Sequence, residues 1–225
     1  MRRHRSALVA GVVYLAAGIA WLGAAEPGRL WLSAWFLAVA IAGLFIPGPA
    51  NQVTLARAYL AAPALVYGMT GQFGALAVVV AIAGLTDLVD GTVARRFGSP
   101  SQLGGALDPV VDGLFMCGLA FGAALGGAFP VWLAAVAVAR YVLPAVAGGV
   151  LLAAGRRPEL RHTLTGQVST VLILVLLGGA CLLRGLGQDA SRLVAGAEVA
   201  IPLAVVATWV HLGWAVMRRP ARAVV

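Results

Sequence analysis

Apolar blocks of about 20 residues, the length a helix needs to cross a hydrocarbon core near 30 Å, succeed one another along almost the whole chain. Short segments rich in Gly, Pro and Arg separate them. Lipid offers the backbone no hydrogen-bond partners, so irregular chain or an open sheet edge there would leave polar groups unsatisfied. With 61% hydrophobic and 11% charged residues, the sequence also departs far from the roughly half-apolar, quarter-charged balance of soluble domains. The expectation is an all-α integral membrane protein.

Eight helices are expected, over Ala7–Ala25, Leu30–Ile46, Gln52–Tyr67, Phe73–Phe97, Leu107–Gly127, Val131–Ala154, Thr165–Leu183 and Val194–Met217. The net charge of +8 is carried by arginine, since the chain has no lysine. Arg2, Arg3 and Arg5 precede the first helix and Arg95 and Arg96 end the fourth. Arg156, Arg157 and Arg161 follow the sixth, and Arg218, Arg219 and Arg222 follow the eighth. With alternate crossings all these clusters fall on one side, which the positive-inside rule makes cytoplasmic together with both termini. A multi-pass protein of the cell (plasma) membrane is expected. Trp31 and Trp132 then begin helices at the outer interface and Trp214 ends one at the inner, as in an aromatic belt. Residues 1–25 also resemble a signal peptide, with a basic start, an apolar stretch and small residues at Gly23–Ala25. Its removal would not change the orientation of the rest.

Arginines distributed in this way serve topology before nucleic acid, and no nucleic-acid partner is expected. Cys117 and Cys181 lie inside apolar blocks with no Cys or His nearby at ligand spacing. They read as small buried hydrophobes rather than redox or metal groups.

Four of the eight acidic residues, Asp87, Asp90, Asp108 and Asp112, fall at the adjoining ends of the fourth and fifth helices. Ionisable groups at membrane depth are costly and need a partner. The spacings of three and four put each pair on one helical face, and the intervening connection lets the two faces meet. Four converging carboxylates would repel one another and raise their own pKa values unless a cation sat among them. Oxygen-only donors favour a hard ion over Zn²⁺, so one or two divalent ions, Mg²⁺ or Mn²⁺, are expected, able to clamp a pyrophosphate. A single Asp would more simply cap a helix or pair with Arg95 or Arg96. A membrane metal-ion or proton transporter could use the same cluster. The first, second, seventh and eighth helices, however, offer no further carboxylate at membrane depth apart from Glu198 near an outer end.

The run Asp87, Asp90, Gly91, Ala94, Arg95, then Gly104, Asp108 and Asp112 resembles the signature of the CDP-alcohol phosphatidyltransferases, with every fixed position filled. Eight fixed identities match by chance on the order of once in 10¹⁰ registers at average residue frequencies. The resemblance implies a six-helix membrane bundle, usually a homodimer, with the aspartates at the cytosolic end of its second and third helices. Residues 49–225 would be this catalytic membrane domain, and residues 1–48 an accessory N-terminal transmembrane hairpin. The implied reaction is metal-dependent transfer of a phosphatidyl group from CDP-diacylglycerol to a small alcohol, with release of CMP.

Carried over by position, Asp87, Asp90 and Asp108 would be metal ligands, and Asp112 both near the metal and the general base on the acceptor hydroxyl. The chemistry accords with that division, because the attacking hydroxyl must lose its proton while charge grows on the phosphate. Gly91, Ala94 and Gly104 would let the nucleotide lie against backbone, or are ordinary close-packing residues of membrane helices. Arg95 would meet phosphate. Asn51, Thr54, Arg57 and Pro63 resemble the opening of the family's first helix, and their spacing puts Asn51, Thr54 and Arg57 on one face. They are assigned to the CDP-donor pocket, with a capped helix start and a snorkelling arginine as the plainer alternative.

Arg140 falls near the middle of the sixth helix, where a guanidinium should face an aqueous cavity or an acid. It is a candidate for an acceptor's phosphate, as is Arg161. Family members that use a phosphorylated acceptor often place an acid after the matching arginine, whereas Tyr141 follows here. The basic rim suits an anionic acceptor, such as a glycerol 3-phosphate-like or inositol phosphate-like alcohol or phosphatidylglycerol, better than choline or ethanolamine. Gly118, Gly122 and Gly126 repeat every four residues and would allow close helix contact within the bundle or across a dimer. His211 reads as an interfacial side chain.

Overall fold

A computed structural model describes residues 2–24, 30–46, 49–97, 102–153 and 164–217, with side chains over 7–24, 31–46, 51–86, 107, 110–144, 146, 165–211 and 213–214. The described residues form eight α-helices and no strand. They are α1 (Arg2–Ala24), α2 (Leu30–Phe45), α3 (Pro49–Met69), α4 (Phe73–Phe97), α5 (Gln102–Leu125), α6 (Val131–Ala153), α7 (Leu164–Gly185) and α8 (Ser191–Met217).

Every expected helix is present, but α5 begins at Gln102 rather than Leu107. Gly104 and Gly105 have low helix propensity, which disguised that start, and the helix runs through them. Two helix ends follow from glycine. Gly127 has φ +83° and Gly187 φ +69°, the left-handed backbone that a Cβ disfavours. After α5, Ala128 N donates to Ala123 O at 2.8 Å and Gly127 N to Ala124 O at 3.0 Å. The same pair of bonds recurs after α7, from Gln188 N to Leu183 O and from Gly187 N to Arg184 O. Both are Schellman closures, which satisfy carbonyls that the helix leaves over.

Apolar side chains line the outside of the helices as well as the core. Leu8, Val12, Leu15 and Ile19 of α1 are exposed along one face, and so are Val199, Leu203, Val206 and Val210 of α8. Apolar stripes of that length need an apolar surrounding. Among the described residues three helices are long and apolar enough to cross a membrane, over Ala7–Ala24, Thr165–Gly185 and Ser191–His211. Shorter apolar stretches occupy Trp31–Phe45, Phe73–Thr86, Val110–Leu125 and Val131–Pro144.

The chain divides into two compact units, the first comprising Met1–Tyr67 with Val78–Leu119 and the second Gly68–Ala77 with Ala120–Val225. In the first, Leu32, Phe36 and Val39 of α2 pack with Ala58, Tyr59, Ala62 and Val66 of α3 and Val111 of α5. Aromatic contacts tie α1 and α2 to α3. The Phe36 and Tyr59 rings are 4.5 Å apart, Tyr14 stacks on Tyr59 at 5.7 Å, and Trp21 meets Tyr67 edge-on at 5.9 Å. Trp21 Nε1 also donates to Tyr67 Oη at 2.8 Å, and Trp35 Nε1 to Ala58 O at 3.1 Å. Such polar handles on buried rings fix helix rotation as well as contact.

In the second unit α8 packs on both α6 and α7, with Leu133, Ala137, Ile173, Leu177, Ile201 and Val205 buried. The four-residue glycine repeat of α5 serves intrachain packing. A Cβ on Gly118 would stand 2.4 Å from Ala61 O, and one on Gly126 would stand 2.0 Å from Gly68 O. One on Gly68 would stand 2.4 Å from the Gly122 carbonyl carbon. Only glycine allows backbones this close.

Candidate active site

The polar opening of α3 is enclosed rather than solvated. Thr54 and Arg57 are buried, Arg57 to 6% exposure, and Asn51 is half-buried. A guanidinium so placed requires a counter-charge. Arg57 finds one in Asp112 of α5, to which its Nη1 donates at Oδ1. Two residues that sequence reasoning assigned separately, one to the donor phosphate and one to metal and base, are therefore in direct contact within the first unit. Their separation of 55 positions left no local signal of the pairing.

Of the remaining expected site residues, Asp87, Asp90, Gly91, Ala94 and Arg95 lie on α4 and Gly104 and Asp108 on α5. Their side chains are outside the described residues, and Arg161 lies outside them altogether. No group of three or more His, Cys, Asp or Glu side chains gathers among the described residues, a set holding Asp112 but not the other three aspartates.

Arg140, in the second unit, is half-buried, and its described hydrogen bonds go to no acid. Its Nε donates to Ser169 Oγ of α7 at 2.9 Å and its Nη2 to Gly166 O, while the guanidinium lies 4.7 Å from the Tyr141 ring centroid. Nearby, Thr165 Oγ1 and His211 Nδ1 of α8 are 2.9 Å apart, so His211 joins two helices. Ser169, buried to 2%, was missed by sequence reading. Small hydroxyls are common in membrane helices, and nothing in its spacing singled it out.

A family model described as CDP-alcohol phosphatidyltransferase matches residues 49–217. The chain belongs to the CDP-alcohol phosphatidyltransferase family. It is 32% identical over 136 residues to a cardiolipin synthase (CMP-forming) of Streptomyces coelicolor, covering 60% of this chain and 58% of that protein. It is 38% identical over 103 residues to a probable cardiolipin synthase (CMP-forming) of Drosophila melanogaster, covering 45% of this chain and 32% of the other. The chain thus spans from about a third to somewhat over half of the length of these curated relatives. No solved structure matches the chain significantly. The apolar helices and the family together define a membrane protein.

Proposed function

We propose that the protein transfers the phosphatidyl group of CDP-diacylglycerol to phosphatidylglycerol, releasing CMP and forming cardiolipin. The observation that carries this reading is the ion pair between Arg57 and Asp112, which joins a donor-phosphate candidate to the candidate base inside one compact unit. A guanidinium fork presents five N–H donors, so Arg57 can hold the Asp112 carboxylate with one arm and meet a pyrophosphate oxygen with another. Asp112 would take the proton from the acceptor hydroxyl as its oxygen bonds to the β-phosphorus. The bond from that phosphorus to the bridging oxygen breaks and CMP leaves with the electron pair.

Helical rise supports the convergence of the other three aspartates. With α4 ending at Phe97 and α5 beginning at Gln102, Asp90 and Asp108 each lie about 10 Å from the joined ends, and Asp87 and Asp112 each lie about 15 Å. A connection this short folds successive helices back on one another, matching the aspartates in two levels. Their hard carboxylate oxygens fit Mg²⁺ or Mn²⁺, which Asp87, Asp90, Asp108 and Asp112 would hold. A bound ion there would neutralise charge on the pyrophosphate. Gly91, Ala94 and Gly104 would leave room for the nucleotide, with Asn51, Thr54 and Arg95 on its polar groups.

The preference for phosphatidylglycerol among anionic acceptors rests on the names of the two relatives and on Tyr141, which departs from the acid typical after this arginine in users of phosphorylated acceptors. Arg140, already held by α7, is the candidate for the acceptor phosphate, with Arg161. All eight helices would cross the plasma membrane with the basic clusters, both termini and the aspartates on the cytoplasmic side, and the protein would be a homodimer. The test is CMP release by purified protein from CDP-diacylglycerol with phosphatidylglycerol, glycerol 3-phosphate or an inositol phosphate, with Mg²⁺, Mn²⁺ or EDTA. CMP and cardiolipin from phosphatidylglycerol, lost with EDTA, are expected. CMP release with either of the small phosphates and not with phosphatidylglycerol would refute the acceptor, and no CMP with any acceptor would refute the reaction.

A further inference from the structure

Glu198 stands in α8 between the apolar Ala197 and Val199. With 27 residues, α8 is about 40 Å long, the thickness of a bilayer with its headgroups. Glu198 lies about 10 Å from the start of the helix, just inside the hydrocarbon boundary, where a carboxylate needs a cation. Among the described residues it forms no ion pair.

It lines a groove of about 460 Å³ within the second unit. Ser191, Val194, Ala195 and Glu198, at the three- and four-residue steps of one helical face, make the α8 wall. Residues 127–130, between α5 and α6, make a second wall, and Arg184 in the last turn of α7 closes the third. Two opposite charges therefore border one cavity without pairing with each other. Asp189, the other acid of this connection, is already held by Ser191 through Oγ at 2.7 Å and N at 2.9 Å, and Arg184 acts on it through space. Arg192 is exposed and is not part of the lining.

A ligand that satisfies both charges carries a cation and an anion a short distance apart. Glu198 and the lone pairs of Ser191 Oγ accept hydrogen bonds, which a primary ammonium gives in three directions. A quaternary ammonium has no N–H to give and is recognised by a cage of rings, whereas the lining holds a single ring, Phe129. The Arg184 fork suits a phosphate. Depth and surroundings make the source a lipid. Trp132, exposed at the start of α6, marks the headgroup level. Ala195, at the edge of the groove, lies within about a quarter turn of Val199, Leu203, Val206 and Val210, the exposed apolar stripe of α8, along which acyl chains can run. We propose that the groove binds a phospholipid whose headgroup joins a phosphate to a primary ammonium, as in phosphatidylethanolamine. The site uses none of the residues assigned to the reaction, and its leaflet, the outer one, follows from the topology proposed above.

The test reads binding rather than turnover. The full chain, in nanodiscs of phosphatidylcholine doped with phosphatidylethanolamine, is treated with a lipid-soluble carbodiimide, which condenses a carboxylate with an amine in contact with it. Trypsin cuts after Arg192, so an adduct on Asp189 and one on Glu198 fall in different peptides. The lipid amide is expected on the Glu198 peptide. No adduct there, or an equal yield on the Asp189 peptide, would overturn the proposal.

In a second arm, native mass spectrometry compares retention of phosphatidylethanolamine with that of phosphatidylcholine bearing the same chains. The wild type should prefer the first about tenfold, Glu198→Gln should lose that preference, and Arg184→Gln should weaken both lipids. Equal retention by the wild type, an unchanged preference in folded Glu198→Gln, or wild-type retention of both lipids by Arg184→Gln would each overturn it. Free phosphoethanolamine bound as tightly as the lipid would place the ligand in water and refute the lipid source. CMP release enters neither readout, so the site stands or falls apart from the transferase reading.

Discussion

Asp112→Asn separates the chemistry of the Arg57–Asp112 pair from its structural role. Water reaches little of the Arg57 side chain, 7% exposed, but a third of Asp112, 33% exposed. Removing one partner of a fully buried pair costs roughly 3–5 kcal/mol, and the wetter aspartate reduces this to about 2 kcal/mol for Asp112→Ala. Asparagine keeps an oxygen to accept the Arg57 N–H, so its cost in stability should be about 1 kcal/mol. Loss of the base is a larger effect, about 10²–10⁴-fold in kcat, or roughly 3–5 kcal/mol on the barrier. The assay is CMP release at saturating CDP-diacylglycerol and Mg²⁺, alongside thermal unfolding in detergent and donor binding. The expected pattern for Asp112→Asn is a folded protein that binds donor and fails to turn it over. Turnover within twofold of wild type would refute the base assignment. Unfolding of Asp112→Ala at the wild-type temperature would refute the pair as a structural contact.

Gly118→Ala drives a Cβ to 2.4 Å from Ala61 O, whereas Gly84 has nothing within 4 Å of its Cβ position. Gly118→Ala should destabilise by about 2 kcal/mol and Gly84→Ala should not, as read from the temperature at which each leaves a monodisperse peak on size exclusion. Arg140→Gln should raise KM for phosphatidylglycerol about tenfold or more while KM for CDP-diacylglycerol moves less than twofold; equal rises would remove the acceptor role. Asp189 lies outside the membrane-spanning segments and accepts hydrogen bonds from Ser191 Oγ at 2.7 Å and Ser191 N at 2.9 Å. These bonds hold its carboxyl below the ordinary value of 3.8. Because the folded value is the lower one, its contribution is present above the ordinary value and disappears as pH falls through the depressed one. Asp189→Asn should therefore flatten the acid limb of the thermal-stability profile below about pH 4, and an unchanged limb would exclude this turn as its source.

The helices were legible because each apolar block repeats one requirement of the bilayer. Aspartates at spacings of three and four, which have no cheap place in lipid, are what pointed to the candidate site. Pairings between distant helices were not legible. Arg57 reads as a donor-pocket arginine with no hint that Asp112 contacts it, and Arg140 invites an aqueous cavity or an acid when its described partners are a serine hydroxyl and a carbonyl one helix away. The start of α5 was hidden by Gly104 and Gly105, whose weak propensity is overridden once neighbouring turns are helical. The glycine repeat of α5 announced close contact but not its partner, since chain spacing carries no record of which backbone fills the gap.

The structure also explains how the least lipid-like helix can belong to this bundle. α3 carries Asn51, Gln52, Thr54 and Arg57 and is not among the helices apolar enough to cross a membrane by composition. In hydrocarbon each of those groups would be expensive, and they are tolerable only where protein surrounds them. Thr54, Leu55, Arg57, Ala58 and Tyr59 are buried, which is more than one helical face, so α3 is enclosed on several sides. α1 and α2 supply much of that enclosure through Tyr14, Trp21, Trp35 and Phe36. Helices lying outside the family match thus take over lipid contact from α3. That exchange frees the opening turns of α3 to carry a buried arginine to Asp112 of α5.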